Sequence, residues 1–377
     1  MGLLDLFSEK NRYPAECVVE IDGETIDDLY PSLVEVEVDM DRTKWTVATL
    51  ILETRRLEDG NWVIQDDERF LPWKEIKIQA VFGDVTQEVM RGYIKEVRAE
   101  HPSDRGAAKV TVTCQDVSIA MDREHREEPW GVDDPITDKQ IAEAIAGRHG
   151  FSLVPESEDG QTVQDLNQNT TDIRFLQKRA QASGYEIIFY EDTMYFGERR
   201  VDDAIQPTIK VYAGPDTNCI SFNIRDDGHS PDRAAYQVSA ETGTDEPAVE
   251  VEPNLTVMGN EPATSRDSGL NNFVWRPQRQ GQNDGTQMEA VAQQAANDAS
   301  MRIKVDGELD GTMYGHVLLT GLPVGVDGVG ERYGGTYYVD AVRHKFDMNG
   351  YRLSFSLSRN AYGDNLPEES NPLAAVL

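Results

Sequence analysis

The sequence predicts a β-rich α+β fold in which two antiparallel, barrel-like modules flank a small α/β insert. Apolar residues alternate with polar ones along many stretches, as in strands with one buried and one wet face. Between these stretches, residues 137–200 change to helical spacing with capping residues and then to an aromatic hairpin. We place the first module at residues 1–118, the insert at 119–200, the second module at 201–365 and a flexible tail at 366–377.

The strand prediction depends on the period-two pattern and on turn residues. The alternation is clearest at Val34-Val36-Val38, Ile76-Ile78, Val110-Val112-Cys114 and Tyr351-Leu353-Phe355-Leu357. Eight Asp-Gly pairs, among them Asp59-Gly60 and Asp310-Gly311, predict hairpin or loop turns. Asn349-Gly350 is the strongest of these signals, and we expect it to join two strands near the end of the chain.

The insert is predicted to contain two capped helices. The first begins at Thr137, which forms a capping box with Gln140, and ends at Gly150. The second begins at Thr171 and ends at Gly184. The residues expected on the buried sides are Ile141, Ala144, Ile145, Ile173, Phe175, Leu176 and Ala180.

An aromatic hairpin then closes the insert, with strands 185–190 and 194–196 around a turn at Glu191-Asp192. Within the second module, a long loop and a helix are expected over about 259–303. Thr286 caps this helix with Glu289. Its apolar stripe comprises Met288, Val291, Ala292, Ala295, Ala296 and Ala299.

The chain is strongly acidic, with 68 Asp and Glu residues against 36 Lys and Arg and a net charge of -32. Only 11 of the basic residues are Lys, and the acidic residues form no single run. An even acid excess with scarce Lys favours a source that lives at high salt; an acidic patch that binds a basic partner is the alternative. Either interpretation argues against a nucleic-acid-binding surface, whose charge has the opposite sign.

The cysteines and the N-terminus exclude other classes. Cys17, Cys114 and Cys219 are far apart and odd in number, which favours buried free thiols over a disulfide framework or a metal cluster. The first ten residues lack the long apolar run of a signal peptide or membrane span. We therefore expect a soluble protein made in the cytoplasm, without membrane insertion.

The sequence predicts no catalytic, cofactor-binding or metal-binding residues, and hence no enzyme. The six His residues are scattered, and His149 and His344 are interpreted as a helix-end residue and a packed strand residue. Random pairing among 68 acidic residues explains Asp66-Asp67, Asp133-Asp134 and Asp226-Asp227 better than acid–base chemistry does. Phosphate-binding loops, nucleophile elbows and dinucleotide fingerprints are absent from the sequence.

Aromatic and apolar residues outside strand interiors are candidates for contacts with partners, since aromatic side chains dominate interface energetics. Trp130 and Trp275 lie in predicted loops, and the first seven residues form an amphipathic start. Our contact candidates are Trp130, Trp275, Leu3, Leu4 and Phe7. A frayed terminus is the alternative for the last three. Trp45 and Trp73 are expected to pack in strand cores.

Several pieces of the insert resemble one known family. They are Thr137-Asp138-Lys139-Gln140-Ile141-Ala142, Arg148-His149-Gly150, Gln168-Asn169-Thr170-Thr171-Asp172 with Phe175-Leu176, and Gly184-Tyr185-Glu186 through Met194-Tyr195-Phe196. They resemble the late control gene D family of contractile-tailed phages, which includes the hub portion of VgrG proteins and related injection-system hubs. The family usually has Ser where this chain has Thr171, a neutral change at a cap.

The resemblance implies a structural baseplate hub in a virus tail, assembled in the host cytoplasm. It implies a homotrimer in which each chain carries two similar tube modules, so that the ring presents pseudo-six-fold symmetry to the tail tube. The implied partners are the tail tube protein, a central spike or tip protein and other baseplate proteins. If the particle is a virus, DNA would pass through the lumen without specific binding. No cofactor is implied.

Three alternatives stay open at this stage. The chain could be the VgrG-like hub of a contractile injection system instead of a virus component. The insert could bind cell-wall glycans, which predicts saturable binding by residues 119–200 alone. A tail-associated hydrolase is the weakest alternative, because about a dozen residues follow residue 365 and they cannot form a catalytic domain.

Overall fold

A computed structural model of the chain describes residues 14–103, 107–237, 248–264, 270–276 and 285–366. Within them, residues before 117 contribute β1 (Ala15–Ile21), β2 (Glu24–Thr25), β3 (Leu33–Asp41), β4 (Lys44–Glu53), β5 (Glu75–Phe82), β6 (Val85–Glu100) and β7 (Lys109–Asp116). The middle contributes α1 (Ser118–Met121), β8 (His125–Trp130), β9 (Ile136–Thr137), α2 (Asp138–Arg148), β10 (Ser152–Leu153), β11 (Thr162–Val163), β12 (Leu166–Thr171), α3 (Asp172–Ser183), β13 (Glu186–Tyr190) and β14 (Thr193–Gly197).

The remaining residues contribute β15 (Gln206–Lys210), β16 (Cys219–Asp226), β17 (Arg233–Tyr236), β18 (Val249–Val251), β19 (Glu261–Pro262), β20 (Val274–Trp275), α4 (Gly285–Ser300), β21 (Ile303–Asp310), α5 (Gly311–Tyr314), β22 (Pro323–Asp327), β23 (Gly335–Asp347), β24 (Gly350–Arg359) and β25 (Ala361–Tyr362). The fold is therefore mostly β-sheet with few helices, as the sequence predicts.

One large, curled, mainly antiparallel sheet dominates the molecule. In the described residues it has 13 strands, ordered β16-β21-β24-β23-β3-β4-β7-β6-β5-β1-β2, with β22 beside β23 and β15 parallel to β22. The two β-rich regions meet where β3 pairs with β23, from Ala341 opposite Asp41 to Asp347 opposite Glu35. Most of their buried apolar side chains belong to one hydrophobic cluster. The two predicted modules thus share one sheet and one core.

The predicted alternation is confirmed in most strands. The apolar residues named for β5, β7 and β24 are all buried. In β3, Val36 and Val38 are buried, whereas Val34 is 45% exposed. The pairing of β3 with β4 shifts register between Leu33 and Glu35, and such a bulge turns one side chain to the other face. The expectation for Val34 was therefore wrong, because a bulge leaves no periodic signal.

Both insert helices lie where the sequence predicts them. Thr137 forms the complete capping box with Gln140 at the start of α2. Gly184 ends α3 with φ of 73°, in the left-handed region that favours glycine. The buried side of α2 differs in one respect, since Ala144 is exposed while Ala142 and Ala146 are buried. The other predicted core residues of the two helices are buried.

Two polar predictions need correction. Thr171 stands at the N-cap of α3, but its hydroxyl donates to Oδ1 of Asp122 at 2.5 Å and makes no cap hydrogen bond. Asp310 begins α5 by accepting a hydrogen bond from the backbone N–H of Met313, so this Asp-Gly pair caps a helix and makes no hairpin. Asn349 does lie in the turn that joins β23 to β24, and Gly350 follows it with φ of 99°.

The second β-region contains the predicted helix, and Trp45 and Trp73 differ in their surroundings. Helix α4 begins at Gly285 and ends at Ser300, and Ala292 and Ala296 are fully buried. Trp45 is half-buried against the core of the insert, while Trp73 precedes β5 and is exposed, contrary to the core packing expected of it. None of the helices in the described residues is both long and apolar enough to cross a membrane.

Candidate functional site

Residues of the insert build a buried polar cluster around Asp172, the first residue of α3. Its carboxylate accepts hydrogen bonds from Arg148 Nη1 at 2.9 Å and Gln168 Nε2 at 2.7 Å, and His149 Nε2 lies 2.8 Å away. Burial alone would raise the pKa of Asp172, but the bonds from His149 and Gln168 and the charge of Arg148 lower it to about 2. The cluster ties the end of α2 to the start of α3.

A second buried carboxylate makes the reciprocal connection. Asp138, the first residue of α2, accepts from Nε of Arg179 in α3 at 2.6 Å and from the hydroxyl of Ser183 at 3.1 Å. It also accepts from the backbone N–H of Gln161 at 2.9 Å. Carboxylates at helix N-termini gain from the helix dipole as well. The insert segments that resemble the late control gene D family therefore hold α2 and α3 together through buried carboxylates. Their polar side chains pair with one another in structural contacts.

The insert is fastened to the large sheet through Glu186, the first residue of β13. Its Oε1 accepts from Nη1 of Arg42, in the β3–β4 turn, at 2.7 Å. Its Oε2 accepts from the buried hydroxyl of Tyr338, in β23, at 2.7 Å. Arg199 lies on the other side, with Nε 3.5 Å from Glu186 Oε1, and pairs in turn with Asp298 of α4. One carboxylate thus joins the insert to both β-regions.

Asp340 of β23 completes this arrangement. It accepts from Nε of Arg42 at 2.7 Å and lies 3.5 Å from Nζ of Lys304. Burial would raise the pKa of Asp340, but Lys304 and Arg42 hold it below its usual value. Burial lowers the pKa of Lys304, and Asp340 opposes that effect. We call the connected set the junction network: Arg42, Glu186, Arg199, Asp298, Lys304, Tyr338 and Asp340.

Five residues of the junction network, all except Tyr338 and Asp340, line a groove of about 760 Å³ between α3, α4 and the start of β4. Six lining residues are cationic: Arg42, Lys44, Arg174, Lys178, Arg199 and Lys304. Only two are acidic, Glu186 and Asp298. We call this cavity the basic groove. Its volume lies within the range of pockets that hold ligands, about 300–1,000 Å³, and its charge is opposite to that of the chain as a whole.

The predicted contact residues lie elsewhere. Trp130 ends β8 and is not in a loop, which corrects that expectation; it is 8% exposed, stacks on Phe175 at 6.4 Å and donates to Gln168. Trp275 is 51% exposed in the short strand β20, which pairs with β17. Leu3, Leu4 and Phe7 lie outside the described residues.

His344 and Asp226, two titratable residues considered in the sequence analysis, are held by hydrogen bonds to neighbouring side chains. His344 is fully buried with Nδ1 2.8 Å from the hydroxyl of Tyr351, and burial lowers its pKa to about 3. Asp226 accepts from Arg332, Tyr333 and Tyr362. Among the described residues, no group of three or more His, Cys, Asp or Glu side chains is arranged to hold a metal ion. The three cysteines are free thiols.

The basic groove has no local signature in the sequence. Its cations come from the β3–β4 turn, α3, the segment after β14 and β21, which are far apart along the chain. The one available signal was Glu186, a charged residue at the start of an otherwise apolar hairpin strand. A carboxylate at such a position needs a buried cationic partner.

Comparison with solved structures identifies the class of fold: it is the fold of phage tail proteins. The chain is similar to the 43 kDa tail protein of prophage MuSo2 from Shewanella oneidensis, with a TM-score of 0.64 and 13% identity over 92% of this chain and 98% of that one. It is similar to a tail protein from Neisseria meningitidis MC58, with a TM-score of 0.61 and 13% identity over 92% of this chain and 97% of that one.

A third similar structure is the E. coli c3393 protein, a component of the type VI secretion system, with a TM-score of 0.54 and 12% identity over 93% of this chain and 79% of that one. At the level of sequence families, residues 12–347 match the model described as the Alg8 N-terminal domain. The chain belongs to this family. No curated protein sequence matches the chain at a significant level.

Proposed function

We propose that this chain is a structural hub protein of a virus-tail baseplate. The observation that carries the proposal is the extent of the fold likeness: it covers 92% of this chain and nearly all of two tail proteins. A likeness over whole chains leaves little of this protein outside the tail-protein fold. The resemblance of the insert sequence to the late control gene D family supports the same assignment. The chain acts by assembly in the virion tail and not by catalysis.

The assembled form in this proposal is a homotrimer whose ring has pseudo-six-fold symmetry. Each chain contributes two tube modules, the strands before residue 117 and the strands after residue 205, which meet where β3 pairs with β23. Three chains then present six comparable segments to a six-fold tail tube on one side and a spike or tip protein on the other. Closed symmetric rings of this kind rely on large, obligate interfaces.

The junction network supports this role because it makes the insert a fixed part of each chain. Arg42, Glu186 and Asp340 come from three separate stretches of sequence and meet within hydrogen-bonding distance. An insert held in this way keeps a constant position on the ring. We propose that it lies on the outside of the ring, away from the lumen.

The decisive experiment is a mass measurement of the purified protein in molar salt, followed by electron microscopy with its tail tube protein. We expect a trimer and rings. A monomer that forms no ring with the tube protein would contradict the hub assignment. Repeating the measurement at low salt tests the proposed high-salt source, since an acidic surface adapted to salt loses stability when its charges are no longer screened. Unchanged folding at low salt would count against that source.

A hub of an injection system is the second candidate, and the likeness to a type VI secretion component favours it. The two candidates differ in cargo. Particles that contain this protein and protect DNA from nuclease would support the virus assignment, whereas particles of the same architecture without DNA would support the injection system.

A further inference from the structure

The basic groove concentrates positive charge in a chain whose net charge is -32. Both acidic residues of its lining are already engaged within the chain. Glu186 accepts from Arg42 and Tyr338, and Asp298 pairs with Arg199. Most of the cations are paired as well, since Lys44 pairs with Asp41 and Arg174 with Asp122 at the exposed surface. Among the described residues, Lys178 is the lining cation without an ion pair.

Donors in the groove remain without internal partners among the described residues. Lys178 is exposed and forms no ion pair there. The Arg199 side chain is only 7% exposed, and its Nη1 is buried without a hydrogen-bond acceptor. Three side-chain amides also line the groove without hydrogen bonds to the described residues: Gln177, Gln181 and Gln294. Of these donors, Nη1 of Arg199 is the buried one, and a buried donor without an acceptor is uncommon and needs a partner such as water, an ion or a ligand. Gln177, Lys178 and Gln181 are exposed and therefore accessible to a ligand.

We propose that the basic groove binds an acidic, extended polypeptide segment of a partner protein. Lys178 would contact its carboxylates directly. Lys44 and Arg174, which pair with Asp41 and Asp122 at the exposed surface, would exchange those weak pairs for charge-assisted hydrogen bonds to the peptide. Glutamine amides both donate and accept, so they match the alternating N–H and C=O groups of an extended backbone. That the partner is another tail component rests on the proposed function; the binding chemistry does not.

The electrostatics favour a short acidic peptide over a nucleic acid. A nucleic acid gains affinity from many phosphate contacts along an extended basic surface, whereas the groove offers six cations with an acidic surface around them. A long polyanion would meet repulsion wherever it leaves the groove. A peptide with a few carboxylates fits inside and avoids that repulsion.

The test uses the full chain and a fluorescein-labelled peptide of alternating Glu and Gly residues, with binding followed by fluorescence anisotropy. The matched control peptide carries Gln in place of every Glu. We expect saturable binding of the Glu peptide that weakens as salt is raised, and little binding of the Gln peptide. Equal binding of both peptides, or no binding of either, would overturn the proposal.

Variants locate the site. The double variant Lys44→Glu/Lys178→Glu reverses two exposed charges at the groove mouth and should weaken Glu-peptide binding at least about tenfold. Lys95→Glu reverses an exposed charge in β6, outside the groove, and should leave binding unchanged. All variants should unfold at the same temperature as the parent protein, since these side chains are exposed. Equal weakening by the double variant and by Lys95→Glu would refute a localised site.

An oligothymidine of similar length serves as competitor. If it displaces the Glu peptide at lower concentration than unlabelled peptide does, the groove is a general polyanion site and the peptide proposal is wrong. The mass measurement described above separates this inference from the hub proposal: a trimer that does not bind the peptide refutes the groove inference alone. A monomer that binds the peptide refutes the hub alone.

Discussion

Nη1 of Arg148 donates to Oδ1 of Asp172 over 2.9 Å, joining the last residue of α2 to the first residue of α3. Arg179 of α3 reciprocates by donating to Asp138, the first residue of α2, over 2.6 Å. Each helix thus begins with a buried carboxylate that the other helix neutralises. This relationship explains why the small insert contains buried charged residues.

Asp172→Asn should destabilise the protein by about 3 kcal/mol, because it leaves Arg148 without its buried counter-charge. Chemical denaturation at constant salt measures the change in the free energy of unfolding. Asp133→Asn is the matched control, since Asp133 is exposed in the same insert and should change stability by less than about 0.5 kcal/mol. Similar effects of the two substitutions would show that the Asp172 cluster adds no stability.

The same carboxylate predicts an acid-dependent loss of stability. The folded-state pKa of Asp172 is about 2, below its ordinary value of 3.8, so its contribution is fully present above about pH 5 and is lost as pH falls toward 2. The stability difference between the parent protein and Asp172→Asn should therefore shrink across that window. A difference that stays constant from pH 6 to pH 2 would contradict the assignment of the low pKa to this residue.

Glu186→Gln should loosen the attachment of the insert to the sheet. The substitution removes the charge that Arg42 and Arg199 share, and breaking a buried pair of this kind costs about 3 kcal/mol. Hydrogen exchange should rise at β13 and at the β3–β4 turn together. Tyr338→Phe removes only one hydrogen bond to the same carboxylate and should cost about 1 kcal/mol. Exchange confined to β13 in Glu186→Gln would mean that the network does not couple the two regions.

Two glycines of the same loop separate steric clash from backbone strain. Gly328 and Gly330 both have φ of 87°, but a Cβ at Gly328 would lie 1.6 Å from the carbonyl oxygen of Val211, whereas one at Gly330 meets nothing within 4 Å. Gly330→Ala should cost about 1–2 kcal/mol from the left-handed backbone alone. Gly328→Ala must also displace the backbone of Val211, directly after β15, and should cost clearly more. Equal melting temperatures for the two variants would show that the backbone at Val211 moves freely.

The two tryptophans proposed as contact residues should respond differently to truncation. Trp130→Ala removes a buried ring stacked on Phe175 and should destabilise the chain by about 3–5 kcal/mol. Trp275→Ala removes an exposed ring and should leave the melting temperature unchanged. If Trp275 is an interface anchor, its variant will assemble less tightly in the mass measurement. Unaltered assembly would remove Trp275 from the interface.

Local signals predicted much of the fold. The capping box at Thr137, the left-handed stop at Gly184 and the alternation in β5, β7 and β24 all follow from interactions between residues a few positions apart. Predictions failed where a distant residue changed the outcome. The hydroxyl of Thr171 was expected to cap its own helix, but Asp122, which is 49 residues away, accepts it instead.

The candidate site was beyond prediction because none of its relationships is local. Arg42 and Asp340 are 298 residues apart, and Arg42 and Glu186 are 144 apart. Each looks in the sequence like one more charged residue among 104 Asp, Glu, Lys and Arg residues in total. Charge counting along the chain indicated a uniformly acidic surface, and the cations that oppose it are brought together only by folding.

The sequence by itself determined the two insert helices, the aromatic hairpin and the alternating strands β5, β7 and β24, because periodicity and capping act within a few residues. The sequence also contains the insert segments that resemble the tail-hub family. Only the tertiary structure decided that β3 pairs with β23, so that two separate β-rich regions share one sheet and one core. Strand pairing across 300 residues depends on competing long-range contacts, which leave no pattern in either strand alone.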